Sequence, residues 1–176
     1  MVKVYRDFQY AKKFINKSTV AIGNFDGVHL GHLSLLKKAK KLASNSNTSF
    51  TILTFAPHPL KVLRPEFEPK SILRFRTKIE MLERAGVEIV LAQRFTKSFS
   101  KITAEKFVYD VLKNGLKAKN VVVGDDFKFG YKREGDVSYL VSKEFSEIFK
   151  VHIINEISGK YGRYSSSSIR GMISSG

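Results

Sequence analysis

Gly23-Asn24-Phe25-Asp26-Gly27-Val28-His29-Leu30-Gly31-His32 sets two imidazoles three residues apart around a glycine, at the point where a strand turns into a helix. Ser18-Thr19-Val20-Ala21-Ile22 before it is short, apolar and β-branched, and Leu33, Leu35, Leu36, Ala39, Leu42 and Ala43 after it keep helical spacing. A helix start offers unpaired N–H groups and the positive end of the helix dipole, and residues three apart share a face of its first turn. This is a layout for binding phosphate, with Gly31 leaving room between the two histidines. An H-x-G-H string alone is more often a pair of surface histidines beside a turn. Here the chain holds only four histidines, two of them in this segment and a third, His58, in Thr54-Phe55-Ala56-Pro57-His58-Pro59 after the next apolar strand. His152, in an apolar run, reads as a packing residue. No third histidine or cysteine stands near His29 and His32 to complete a transition-metal site, so the pair is expected to act on phosphate.

Composition fits one α/β domain over residues 1–176, with 43% hydrophobic residues and enough length to bury a core. The absence of cysteine is compatible with a reducing cytoplasm. Arg6 and Asp7 interrupt the start before a signal peptide could form, and no apolar run reaches membrane-spanning length, so a cytoplasmic chain without a membrane partner is expected. The net charge of +15, from 31 Lys+Arg against 16 Asp+Glu, would suit nucleic acid or polyphosphate metabolites. Its lysines are spread over helix faces, as in Lys37-Lys38, Lys40-Lys41 and Lys113, with no arginine-rich tail and no aromatic-basic ladder. A solvated surface is the expectation, and nucleic acid is not.

Strands are expected at Val2 to Tyr5, Thr19 to Gly23, Phe50 to Phe55, Glu88 to Gln93, Asn120 to Val123 and Val151 to Ile157. Helices are expected from about Gly31 to Ser44, Arg74 to Ala85, Thr103 to Lys113 and Val137 to Lys150, the last capped by Asp136. Such alternation predicts a mostly parallel sheet with helices on both faces and a site at the carboxyl ends of the strands.

Two further constellations leave strand ends or open helices. Ser165-Ser166-Ser167-Ser168 precedes Ile169-Arg170, so hydroxyls, helix N–H groups and a guanidinium form a second anion site, since arginine grips phosphate through parallel bonds. Val121-Val122-Val123-Gly124-Asp125-Asp126-Phe127-Lys128-Phe129-Gly130, with Arg133, Gly135 and Asp136 beyond, fits equally a binding loop that lays Phe127 or Phe129 on a planar ligand and an acidic turn with core phenylalanines.

Together these motifs resemble the FMN adenylyltransferase module of the bacterial bifunctional riboflavin kinase/FAD synthetases, from about Ser18 to the last residue. The resemblance rests on the Gly23–His32 stretch, Thr54–Pro59, Gly124–Gly130 with Arg133-Glu134-Gly135-Asp136, and Ser165–Arg170. The first and last are shared by a wider nucleotidylyltransferase superfamily, and the middle two are more specific. The resemblance implies a Rossmann-like fold that transfers AMP from ATP to FMN, giving FAD and pyrophosphate with Mg2+ present. It places His29 and His32 on the ATP phosphates, with Gly23, Asn24, Phe25, Asp26 and Gly31 at the strand end that approaches the nucleotide. Ser166, Ser167 and Arg170 match the second phosphate motif, and Arg163 stands where a further basic residue often sits. Pro57, His58, Pro59, Asp126 and Phe127 match the flavin side. Lys128 and Ser167 replace the usual arginine and threonine.

The attacking FMN phosphate is already an anion, so catalysis reduces to positioning and charge stabilisation by His29, His32, Ser166 and Arg170. Magnesium takes most of its ligands from phosphate and water, and Asp26 or Asp126 could assist it. The riboflavin kinase domain of the family is expected to be absent from this chain. Two alternatives are a nucleotidylyltransferase with another phosphate acceptor and a non-catalytic nucleotide- or nucleic-acid-binding module.

Overall fold

The computed structural model describes residues 1–27, 30–155, 158–159, 162–163 and 170 of the 176. Its centre is a six-stranded sheet of β1 (Lys3–Tyr5), β2 (Ser18–Ile22), β3 (Ser49–Ala56), β4 (Ile89–Arg94), β5 (Ala118–Gly124) and β8 (Lys150–Ile154). The strands lie in the order β1-β4-β3-β2-β5-β8. Every neighbouring pair in it is parallel. Two antiparallel pairs stand outside it, β6 (Lys128–Phe129) with β7 (Gly135–Asp136) and β9 (Ser158–Gly159) with β10 (Gly162–Arg163).

Strand alternation sorts the core into two layers, because successive side chains point to opposite faces. Val20, Ile22, Leu53, Leu91, Val121 and Val123 pack with Ala11 of α1 (Phe8–Ala11), with Ile15 and with the helical stretch around Phe107 to Leu116. Ala21, Ile52, Val90, Ala92 and Val122 pack with Leu35, Leu36, Ala39 and Leu82 from α2 (Leu30–Ser46) and α4 (Phe75–Arg84). Burial on both faces is what allows a wholly parallel sheet. On α2 the lysines Lys37, Lys38, Lys40 and Lys41 are all exposed, as expected of a solvated face, and so is Leu33.

Three departures from the expected elements have physical reasons. The helix anticipated over Thr103 to Lys113 is a short α5 (Ala104–Lys106), capped by Thr103, that continues as a π-helix over Phe107–Gly115. Its buried pairs, Phe107 and Val108, Val111 and Leu112, Gly115 and Leu116, recur every four residues. An α-helix would rotate each successive pair by about 40°, whereas the wider i→i+5 winding keeps them facing the sheet. The helix anticipated over Val137 to Lys150 stops at Leu140 as α6 (Val137–Leu140), with the Asp136 carboxylate accepting from the Tyr139 N–H as its cap. Leu140 and Phe145 are both buried, yet lie about 140° apart on a continuous α-helix. Tight turns at Ser142 and Phe145 bring both inward. The third departure is the β6–β7 pair within the expected loop. Gly130 there has φ of +76°, and a Cβ on it would sit 2.7 Å from the Ala104 backbone nitrogen.

A buried polar network ties the amino ends of the central strands together. Asn120 Nδ2 donates to Thr19 Oγ1 at 3.1 Å and Ser46 Oγ at 3.2 Å, so its oxygen faces His152 Nε2 at 3.2 Å. His152 is therefore a packing residue with a polar partner. Burial, and then the charges of Lys38 and Lys150, hold its pKa below the ordinary 6.5. The unfolded chain takes up this proton near pH 6.5 and the folded chain only at lower pH, so stability should be full above 6.5 and fall on acidification. His152→Asn should flatten the fall in urea-unfolding stability between about pH 6.5 and 5. Asn120→Leu should cost about 1–3 kcal/mol at neutral pH through its stranded partners.

Candidate functional site

The order β3-β2-β5 reverses direction at β2, because the chain leaves β2 through α2 to β3 on one side and returns later to β5 on the other. At such a switch point the carboxyl ends of the two strands open a crevice for ligands. Gly23–Gly27 follows β2 there, and Asp125 and Asp126 stand exposed after β5.

Phe25 is fully buried with φ of 49°. A Cβ on Gly23 would lie 3.2 Å from its ring, and the His32 imidazole packs on that ring with centroids 5.0 Å apart. Phe25 thus props His32 in the first turns of α2 instead of offering its own ring to a ligand. Val28 and His29 lie outside the described residues, as do Ser166 and Ser167, so the expected second histidine and the serine motif have no described geometry. Arg163 falls in β10.

Asp26 is the most heavily engaged group of the site. Its carboxylate accepts from the Ile72 N–H at 3.0 Å, the Leu73 N–H at 3.3 Å and the Ser71 hydroxyl at 3.4 Å, and pairs with Arg170 Nη2 at 2.6 Å. Arg170 also donates through Nε to the Lys70 carbonyl at 2.8 Å. Burial alone would raise the Asp26 pKa, but the Arg170 bond and the two N–H groups outweigh it and leave the pKa below 3.8. Arg170, expected to serve phosphate alone, uses two of its five donors here, on a partner that spacing did not announce.

Beside Asp26 lies a cavity of about 230 Å³ at the end of β3, whose walls include Asn24, Pro57, His58, Ser71, Leu73 and Lys78. The Ala56–Pro57 peptide is cis. His58 caps α3 (Pro59–Leu63) by accepting the Leu60 N–H on Nδ1 at 3.2 Å. Nε2, the other ring nitrogen, lies 3.2 Å from the Asn24 side-chain amide nitrogen. Burial, followed by the charge of Arg170, lowers the His58 pKa, keeping the ring neutral. The Asn24 carbonyl accepts from Thr54 Oγ1 at 3.2 Å and from Lys78 Nζ at 2.9 Å.

The structure therefore brings Asn24, Asp26, Pro57, His58 and Arg170 together. Pro59 opens α3 just outside the cavity, and Asp126 and Phe127 lie apart from it at the end of β5. Phe129 is core, and Phe127 stacks on it at 5.4 Å and packs against the same cluster. Lys128 pairs with Asp136 at 3.1 Å, and Glu134 accepts the Ala104 N–H at 2.7 Å, so this motif also fastens the fold. Sequence reasoning missed Ser71 and Lys78. Lys78 stands among Arg76, Glu80, Glu83 and Arg84 on α4, and no local pattern separates it from them.

Asp26→Ala should strand the Arg170 guanidinium and two backbone N–H groups, costing about 3 kcal/mol by chemical denaturation. In the parent, this contribution should be present above pH 3.8 and be lost as the pH falls below it, because the folded pKa is the lower one.

The model of the FAD synthetase family matches residues 11–168. A bifunctional riboflavin kinase/FMN adenylyltransferase of Buchnera aphidicola subsp. Schizaphis graminum is 37% identical over 170 residues, covering 96% of this chain and 54% of the relative. The Escherichia coli K12 protein of the same name is 40% identical over 117 residues, covering 66% of this chain and 37% of its own. This chain thus spans about half the length of the first of these relatives. Among solved structures, a protein described as a macrolide-efflux protein from Streptococcus pneumoniae superposes with TM-score 0.84 at 27% identity, over 98% of this chain and 58% of that one. Among the described residues no helix is long and apolar enough to cross a membrane. A pantothenate synthetase from Thermus thermophilus shares the fold at TM-score 0.61 and 13% identity, over 96% and 67% of the two chains. The sequence that builds the crevice after β2 and the cavity after β3 falls within the matched region, and the chain belongs to the FAD synthetase family.

Proposed function

We propose that this chain transfers AMP from ATP to FMN, giving FAD and pyrophosphate, and that it does so in the cytoplasm with ATP, FMN, FAD and pyrophosphate as its small-molecule partners. The observation that carries this reading is the adjacency of two places on one sheet edge. One is the amino end of α2 with His32 at the β2/β5 crevice, and the other is the Asn24–His58 cavity at the end of β3. A donor nucleotide and an acceptor have separate seats whose common wall is the turn after β2.

In the reaction an oxygen of the FMN phosphate forms a bond to the α-phosphorus, the bond from that phosphorus to the bridging oxygen breaks, and the electron pair leaves on pyrophosphate. No strong base is required, and His58 is not built to be one, since both its ring nitrogens are engaged. His29 and His32, with the N–H groups at the start of α2, stabilise the charge that moves onto the phosphates. Ser166, Ser167, Arg163 and the remaining donors of Arg170 serve the phosphates of the donor, and Gly31 admits the nucleotide. Pro57, His58, Pro59, Asp126 and Phe127 face the flavin. A magnesium ion would arrive on the triphosphate with most of its ligands from phosphate and water, and Asp26 or Asp126 would assist it. When bound, that ion neutralises phosphate charge.

Incubation with ATP, FMN and magnesium, followed by chromatography, should yield FAD and pyrophosphate, whereas riboflavin should yield neither FMN nor FAD. Consumption of ATP with a different phosphate acceptor and none with FMN would overturn the reading. His32→Ala should lower kcat by about 10²–10³-fold while changing the affinity for FMN little.

A further inference from the structure

The charges around the β3-end cavity do not cancel. Of the two carboxylates that line it, Asp26 is matched by Arg170 at 2.6 Å and Glu68 by Lys61 at 3.1 Å. Lys78 is the cation left over. Its ammonium carries three donors, and its one hydrogen bond among the described residues goes to the neutral Asn24 carbonyl at 2.9 Å. No carboxylate among the described residues comes within ion-pair range of it.

We propose that Lys78 receives the phosphate of the acceptor flavin nucleotide and so makes the site choose a phosphorylated flavin over an unphosphorylated one. The proposal rests on the function given above. Three observations support it. The cavity, at about 230 Å³, is smaller than the roughly 300–1,000 Å³ that holds a whole drug-sized ligand, and fits a phosphate end with part of its chain. No residue of α2 lines it, so it is distinct from the helix start that faces the donor nucleotide. Lys78 is also half-buried, and loss of hydration lowers its pKa, only partly opposed by the charge of Asp26. A desolvated ammonium gains more from an anion than an exposed one does. Phosphate held here would be offered from the wall shared with the donor seat, with part of its charge countered before it meets the α-phosphate.

A tether for the Asn24 carbonyl is the competing role, and binding of two flavins separates the roles. FMN and riboflavin affinities, read by flavin fluorescence, should differ in the unaltered protein, with FMN bound more tightly. Lys78→Met should weaken FMN about 10–100-fold, the range of a charge-assisted bond, and leave riboflavin unchanged. Lys78→Arg should restore most of the preference, and the KM for ATP should stay within about twofold in both variants, as expected of a residue off the donor seat. Equal weakening of both flavins would make Lys78 a tether, and a raised KM for ATP would put it on the donor; either overturns the proposal. In the unaltered protein inorganic phosphate should compete with FMN and not with riboflavin, a result independent of whether a variant folds. Failure to compete would overturn the proposal while FAD synthesis still stood, whereas absence of both FMN binding and FAD synthesis would overturn the functional reading itself.

Discussion

The Asp26 carboxylate fastens three stretches of chain that are remote in sequence. It stands just past the central strand, accepts the N–H groups of Ile72 and Leu73, and pairs with Arg170. An isolated carboxylate so buried would be costly, and the cost is offset because hydrogen bonds and an opposite charge arrive together. The geometry of the site depends on this arrangement. The backbone at 71–73 becomes a wall of the β3-end cavity, and Arg170 is brought to the carboxyl end of the sheet where the turn after β2 lies. Gly27 serves the same closure, since its φ of +83° suits glycine and a Cβ there would lie 3.1 Å from the Ile72 side chain.

Much of this fold was legible because each central strand is a short apolar run bounded by polar turns, and both faces of a parallel sheet need such runs. All six strands of the sheet lie where the sequence puts them, to within two residues at the amino ends and three at the carboxyl ends. Where apolar residues recurred at a spacing that suits neither a helix nor a strand cleanly, local pattern misled. Phe145 and Phe149 have helical spacing but Leu140 and Phe145 do not, and the burial of all three is achieved by turns.

The site was legible in its residue types and less so in their employment. Asn24, Asp26 and His58 were identifiable from motifs, but the motifs do not show that His58 caps its own helix or that Asp26 spends its charge on Arg170. Phe129 lies in the core and Phe127 packs half-buried against it, which the motif alone does not show. Lys78 could not be singled out among 31 basic residues, because its distinction comes from a carbonyl 54 positions away. The four lysines at 37, 38, 40 and 41 have the same composition signature and face solvent.

The place of β1 at the sheet edge bears on the order in which the chain can assemble. Lys3, Val4 and Tyr5 pair only with Ile89, Val90 and Leu91. Their backbone hydrogen bonds therefore close a loop of more than eighty residues and need β4 already in place, and β4 in turn takes its register from β3. The strand nearest the start of the chain has no edge to join until the β2–β3–β4 half has formed. During synthesis from the amino end, its three residues leave the ribosome more than eighty positions ahead of the partners they need and are among the last of that half to pair.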